Sequence, residues 1–341
     1  NHGVSEFSVS ADGQRVAFVT DASNLVAGDD NGATDVFVRD LEAGTTILVS
    51  WNGDLTGPGR GSSFSPVLSA DGRKVVYGTL FSNVLPNALP AIGPALCIRD
   101  VETRGVTVVG SWTGGFLANA AADVIVYLTS EFAAPEPGTT VTPIMVWRAA
   151  LGRAERIALP VAFDDPPFPA RDVYSPRLTP SGDHLAFFVP GISVNADRRI
   201  RGLWRVDLRT GGFVQIWSPE NWVFPLAENG LSISDDGTRV AFMTGEAGDF
   251  SEGAIRLWTE GKGLQTLSEI AASGGGGTTE VRRVSSLELS PDGSRLLYST
   301  AEAVAEAGAM EPGTPRAFLR ELGTGVTRVV AVEEPDLDAA F

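Results

Sequence analysis

Residues 10–18 read Ser-Ala-Asp-Gly-Gln-Arg-Val-Ala-Phe. An Asp-Gly pair signals a tight turn, because glycine accepts positive φ and aspartate can bond its own backbone. Arg15-Val16-Ala17-Phe18 then supplies residues suited to a strand. The pattern returns at Ser69-Ala70-Asp71-Gly72, Thr179-Pro180-Ser181-Gly182, Ser234-Asp235-Asp236-Gly237 and Ser290-Pro291-Asp292-Gly293. Each copy precedes a matching strand, at Lys74–Tyr77, His184–Phe187, Arg239–Phe242 and Arg295–Tyr298. A sixth copy, Val124-Ile125-Val126-Tyr127, keeps the strand and reads as having lost the turn. The aromatic residue that ends the strand recurs at spacings of 59, 50, 60, 55 and 56 residues.

A repeat of that length is one supersecondary unit that buries its apolar faces only against its neighbours. Each unit carries a second hairpin, clearest at Asp35–Asp40 and Leu203–Leu208. A glycine-containing turn then leads into a last strand, such as Thr45–Val49 or Phe213–Trp217. No segment sustains a helical period. Four antiparallel strands repeated six times predict an all-β chain, a six-bladed β-propeller of four-stranded antiparallel blades. One propeller domain is expected over 1–341, with blades at 5–50, 51–110, 111–160, 161–218, 219–268 and 269–332 and an acidic tail at 333–341.

The same residues carry a family resemblance. The Ser-Ala/Pro-Asp-Gly turns, the Arg-Val-Ala-Phe strand, and Asp35–Leu41 with Gly44-Thr45-Thr46 resemble the WD40-like propeller repeats of the TolB-like bacterial family. The resemblance spans about residues 5–332. Its motif residues are structural, so it implies a fold and leaves the activity open. Such modules occur in periplasmic and secreted scaffolds and within peptidases and lyases, which implies a periplasmic or extracellular location.

Composition removes several function classes. Forty-two acidic against 26 basic residues give a net charge of −16. That argues against nucleic acid, which needs a cationic surface, and against anionic lipid. Acid on this scale keeps a protein soluble, and it also suits cations or a basic partner. No apolar run reaches the roughly 18 residues of a membrane span, so no membrane insertion is expected. The sequence opens at Asn1 without methionine, which reads as a trimmed form. A monomer is expected. The single cysteine, Cys97, cannot form a disulfide within the chain, and its setting Ala95-Leu96-Cys97-Ile98 reads as a buried thiol.

Strand parity locates the variable surface. The Asp-Gly turns and the glycine turns near Gly44, Gly105, Gly152, Gly211, Gly261 and Gly323 fall on one face. The other connections, at 21–34, 51–62, 80–94, 130–143, 160–173, 190–201, 218–228, 245–252, 268–282 and 301–315, emerge on the opposite face, around the channel mouth. A binding site there would use Asp164, Asp165, Arg171, Asp172 and Tyr174, with Trp51 and Trp222 as aromatic anchors. The competing reading buries these rings between blades. Ser273–Gly277 reads as a mobile tether.

Chemistry-bearing motifs are sparse. His2 and His184 are the only histidines, and His184 falls on the face away from the long connections. A Ser-His-Asp triad therefore lacks a suitable base. No nucleophile elbow, zinc motif or phosphate loop is present. Arg39, Arg99, Arg148 and Arg205 read as one recurring structural position rather than a sialidase-type cluster. Asp29-Asp30-Asn31-Gly32-Ala33-Thr34-Asp35 offers oxygen ligands at Asp29, Asn31 and Asp35 around a glycine, a pattern suited to calcium. Ala27 stands where a further ligand would fall, and the competing reading is a plain Asn-Gly turn. The expected function is a non-catalytic secreted or periplasmic scaffold that binds a protein or glycan partner on its long-loop face. The alternative is a carbohydrate-active hydrolase or lyase using carboxylates at the channel mouth.

Overall fold

A computed structural model describes residues 3–52, 55, 57–59, 61–80, 94–111, 115–128, 140–159, 173–189, 202–218, 230–246, 249–267, 270–271, 278–279, 284–300 and 316–330. These residues contain strands and turns and no helix. Blade one holds β1 (Phe7–Val9), β2 (Arg15–Thr20), β3 (Asp35–Asp40) and β4 (Thr45–Leu48). Blade two holds β5 (Ser63–Leu68), β6 (Lys74–Thr79), β7 (Ala95–Asp100) and β8 (Val106–Ser111), and blade three holds β9 (Phe116–Ala118), β10 (Val124–Leu128), β11 (Thr140–Arg148) and β12 (Arg153–Leu159). Blade four holds β13 (Tyr174–Leu178), β14 (His184–Val189), β15 (Gly202–Asp207) and β16 (Gly212–Trp217). Blade five holds β17 (Leu231–Ile233), β18 (Arg239–Glu246), β19 (Asp249–Thr259) and β20 (Gly263–Thr266). A two-stranded ribbon, β21 (Ile270–Ala271) with β22 (Thr278–Thr279), follows. Blade six closes the series with β23 (Val284–Leu289), β24 (Arg295–Thr300), β25 (Arg316–Glu321) and β26 (Thr327–Val330). Each blade is an antiparallel sheet whose strands pair in sequence order. These six sheets are the blades of a six-bladed β-propeller.

The chain divides into two compact units, one with blades one to three and the Pro180–Gly182 turn, the other with blades four to six. In the first unit, Ala17, Val19, Val36 and Val38 of blade one pack on Val75, Tyr77, Ala95 and Cys97 of blade two. The opposite side of blade two, through Val76, Leu96 and Ile98, meets Ala122, Ile125, Tyr127 and Trp147 of blade three. In the second unit, blade five is sandwiched likewise. Phe242 and Trp258 face Phe188 and Leu203 of blade four, while Met243 and Leu257 face Leu296 and Tyr298 of blade six. Strands packed on both sides need apolar residues on both sides. That is why the second strands read as continuous runs rather than alternating ones.

The repeated turn is a small hydrogen-bonded device. In blade one the Ser10 hydroxyl donates to Asp12 at 2.6 Å and accepts from the Arg15 amide at 2.9 Å, while Asp12 accepts from the Gln14 amide at 2.9 Å. The same three bonds recur around Ser69 and Asp71, Ser234 and Asp236, and Ser290 and Asp292. Gly13 sits at φ 70° and accepts the left-handed conformation that closes the turn.

The sixth turn is not lost. The Ala122 amide donates to the Asn119 carbonyl at 2.9 Å, as Gly13 does to Ser10. Asn119 Oδ1 takes the place of the serine hydroxyl, accepting from the Val124 amide at 2.9 Å, and Ala122 adopts φ 50° where the other copies have glycine. A carboxamide whose oxygen stands one atom further out than the serine hydroxyl supplies the same acceptor, so the geometry survives a sequence that no longer spells it.

One further expectation changes. Residues 245–252 read as a loop, but β18 covers Gly245–Glu246 and β19 covers Asp249–Glu252, pairing Gly245 with Gly253 and Glu246 with Asp249. Within the connection 268–282, Ile270 pairs with Thr279 in the β21–β22 ribbon, and Ser273–Gly277 lie outside the described residues.

Candidate functional site

Each β2–β3 type connection leaves its blade at the end opposite the Asp-Gly turn. In blade one the β2–β3 connection is bound to the described part of the β4–β5 connection. Asp35 is the first residue of β3 and pairs across the ladder with Thr20. The chain leaving β4 returns past it. The Ser50 hydroxyl donates to Asp35 Oδ1 at 2.5 Å and accepts from the Val36 amide at 3.1 Å. Asn31 Nδ2 donates to Asp35 Oδ2 at 2.7 Å and to the Gly59 carbonyl at 2.8 Å. Asn31 Oδ1 accepts from the Ala33 amide at 2.9 Å, which forms the Asn-Gly turn. Below them the Ser63 amide donates to the Thr34 carbonyl at 2.8 Å and carries the lock into β5.

Charge is confined at this end. Asp35 is fully buried. Burial pushes its carboxyl up to about 6, the nearby charge of Asp29 adds to the rise, and the bonds from Ser50 and Asn31 hold it back. Asp29 is 8% exposed. Its carboxyl is raised as well, by burial and then by the charge of Asp30. Arg99 pins the neighbouring backbone, donating through Nε to the Val49 carbonyl at 3.1 Å and through Nη2 to the Trp51 carbonyl at 2.5 Å.

Of the residues singled out from sequence, Asp29, Asn31 and Asp35 come together. Trp51 lies beside them, half-buried, its backbone bridged to Pro58. Tyr174 opens β13 in blade four and is 38% exposed. A bulge follows it, with Ser175 at φ 47°. Asp164, Asp165, Arg171, Asp172 and Trp222 lie outside the described residues. Sequence reasoning missed Ser50 and Gly59, and read Arg99 only as a recurring structural position. The Ser50 and Gly59 contacts carry no local motif, because each depends on pairing between connections.

The arginines do not share one position. Ladder register aligns Asp40, Asp100 and Asp207 with Arg148, so Arg39 and Arg99 match each other, Arg148 stands one residue later and Arg205 one earlier. Neighbouring positions on a strand point to opposite faces, and their partners differ accordingly. Arg39 donates to Thr46 Oγ1 at 3.1 Å, while Arg205 donates to Glu260 of the next blade at 3.1 Å and lies 5.4 Å from the ring centre of its Trp258. Arg148 Nη1 stands 3.9 Å from Glu155 in its own blade. The pairing is structural in every case, but it is not one repeated feature.

The remaining reactive groups are enclosed. His184 packs on the turn of blade five, its pKa lowered by burial and by Arg205, with Nε2 4.0 Å from Asp207. Burial pushes the Cys97 thiol up to about 12. Among the described residues no three His, Cys, Asp or Glu side chains gather as a metal cluster, and no helix is long and apolar enough to cross a membrane.

Known proteins share the fold. The chain superposes on the β-propeller domain of the Trilobed protease from Pyrococcus furiosus with a TM-score of 0.51 and 14% identity, over 97% of this chain and 85% of that one. An oligogalacturonate lyase from Vibrio parahaemolyticus gives 0.52 and 14%, over 95% and 76%. TolB from Acinetobacter baumannii is more distant, at 0.41 and 16%, over 94% and 64%. No protein-family model matches the sequence, and no curated protein is similar to it. The likeness is to propellers as a fold, and the finer TolB-like relationship rests on the repeat motifs alone.

Proposed function

We propose that this propeller is a non-catalytic scaffold, periplasmic or extracellular, that holds a protein or glycan partner at the blade ends opposite the Asp-Gly turns. One observation carries the reading. At that end of blade one, Asn31, Ser50 and Asp35 lock two connections into a single hydrogen-bonded platform. A surface ordered before its partner arrives loses less entropy on binding. Trp51 lies in that platform and Tyr174 is exposed in blade four, and both residue types serve well as anchors. Asp164, Asp165, Arg171, Asp172 and Trp222 lie outside the described residues and stay candidates read from sequence alone.

The alternative is a carbohydrate-active hydrolase or lyase. The Vibrio parahaemolyticus lyase keeps it in view, although a likeness of 14% identity speaks to fold alone. The test is a pull-down from the native host alongside a glycan array. It compares wild type with a Trp51→Ala, Tyr174→Ala, Trp222→Ala, Asp165→Ala variant. Capture lost in the variant supports the scaffold. Equal capture by both refutes the chosen surface. Polysaccharide turnover that disappears with the connection acids refutes the scaffold itself.

A further inference from the structure

In blades one to five the first residue of the second strand lies against the turn of the next blade. Arg15 and Arg239 donate from there to the carbonyls of Gly72 and Gly293, and Lys74 to that of Ala121. Val124 fills the position in blade three, against Gly182, and His184 fills it in blade four, against Gly237. Of these five side chains, histidine alone changes its charge between about pH 5 and pH 8.

The His184 ring is closed in. It is 6% exposed, and a Cβ placed on Gly237 would lie 2.4 Å from its Cγ and its Nδ1. Nδ1 is buried and has no hydrogen-bond partner among the described residues. Nε2 stands 4.0 Å from Asp207 Oδ2, too far for a hydrogen bond. Whichever nitrogen carries the proton of the neutral ring, a second proton arrives at a nitrogen with no acceptor in reach. The surrounding charges are already matched to one another. Arg205 and Asp207 come from β15, Arg209 from the turn after it, and Asp183 from the turn before β14. Asp207 accepts the Arg209 and Thr210 amides, and Arg209 Nε lies 3.5 Å from Asp183 and 3.8 Å from Asp207. From blade five, Glu260 accepts from Arg205, and Asp236 in the Gly237 turn accepts from Ser234 and Thr238. Asp235 of that turn bonds through its amide to Pro291. A charge held in this seat would be withdrawn from water without a partner, which is costly.

We propose that His184 is an acid-sensitive wedge: its protonation drives the ring from its seat against Gly237 and loosens blade four from blade five at their turn ends. The junctions held by Arg15, Lys74 and Arg239 keep their charge over the same range. Burial and then Arg205 lower the His184 pKa, and Asp207 only partly restores it. The neutral ring therefore contributes its full stability above about pH 6.5, the unfolded value, and loses it as pH falls toward the folded one. This inference is independent of the scaffold reading, because its test measures no partner.

The experiment is urea unfolding of the whole chain at pH 7.5 and pH 5.5. It compares wild type with His184→Arg, which copies blade five, and His184→Val, which copies blade three. Between the two pH values the unfolding equilibrium constant of wild type should rise about threefold or more relative to each variant. Asp35, raised to about 6, titrates over this range in all three chains, so the comparison isolates His184. Proton NMR supplies a second readout that needs no variant at the seat. The histidine signal that survives His2→Gln should titrate below about 6.5. Equal pH dependence in wild type and both variants overturns the proposal, and so does a titration at or above about 6.5. A wild type that gains stability on acidification relative to the variants also overturns it, since the protonated ring would then be bonding to the turn as the arginines do.

Discussion

The Arg239 guanidinium donates to the Gly293 carbonyl at 2.6 Å, reaching from the start of β18 into the turn of the next blade. Arg15 makes the same link to Gly72 at 3.1 Å, and Lys74 reaches the Ala121 carbonyl at 3.4 Å. In blades one, two and five one side chain thus latches the following turn, beside backbone bonds such as Asp235 to Pro291 at 2.9 Å. Arg239→Met keeps most of the aliphatic stem and removes the donor. It should cost about 1–2 kcal/mol, the lower part of the range for charge-assisted bonds, because the site is partly solvated. Urea unfolding of the variant would read this as a lower midpoint at unchanged slope. An unchanged midpoint would show the latch to be geometric rather than energetic.

His184 occupies the latch position of blade four and lies against Gly237. A Cβ built on Gly237 would come within 2.4 Å of the His184 ring, and the residue is at φ 69°. Gly211 has nearly the same φ, 73°, with open space around it. Gly211→Ala should therefore cost only the left-handed backbone term, about 1–2 kcal/mol. Gly237→Ala adds a clash with a buried ring and should cost about 3 kcal/mol or more. Adding His184→Ala to Gly237→Ala should recover part of that loss, a non-additivity that Gly211→Ala with His184→Ala should not show. The four variants measured by denaturant unfolding decide it.

The architecture was legible because its signal is local and repeated. Ser10-Ala11-Asp12-Gly13 encodes a turn by itself, and six copies of the strand that follows, with aromatics spaced 59, 50, 60, 55 and 56 residues apart, fix the blade count. The sixth turn escaped notice because Asn119 replaces the serine acceptor with a longer side chain, and Ala122 tolerates a conformation expected of glycine. The arginine positions were misaligned because a register of one residue is invisible until the ladders pair. At the candidate site, Asp29, Asn31 and Asp35 were legible as a short oxygen-rich loop. Ser50 and Gly59 were not, because they come from the next connection and meet the loop only when β4 folds back along β3.

The turn acids should set the acid limb of stability. The Ser10 hydroxyl and then the Gln14 amide hold Asp12 below the usual carboxylate range. Ser69 and the Arg73 amide do the same for Asp71, and Ser290 and the Ser294 amide bring Asp292 to about 2. A folded-state pKa below the unfolded value stabilises the fold at higher pH, and that stability is lost as protons return. The loss should therefore fall between about pH 4 and pH 2, with little change above it from these groups. Replacing Asp12, Asp71 and Asp292 together with asparagine should lower stability at neutral pH and flatten the acid limb. Urea midpoints at stepped pH values would measure both. A limb equally steep in the triple variant would assign acid unfolding to other groups.

Cys97 gives a probe of the packing between blades one and two. The residue is fully buried in β7, among Val36, Val38, Val75 and Tyr77. Burial pushes its thiol up to about 12, and the neighbouring Arg99 only partly offsets this. Reaction needs the thiolate and needs access, and the native core supplies neither at neutral pH. A thiol reagent should leave the native chain unmodified over hours and label one equivalent after denaturation. At intermediate denaturant the labelling rate should follow the opening of this core and so report the stability of the first unit. Arg239→Met, which lies in the second unit, should leave that rate unchanged if the units open independently. Arg15→Met, which removes the latch from blade one to blade two, should raise it about tenfold for each 1.4 kcal/mol lost. Prompt labelling of native wild type would mean that the β6–β7 core is far less closed than its packing implies.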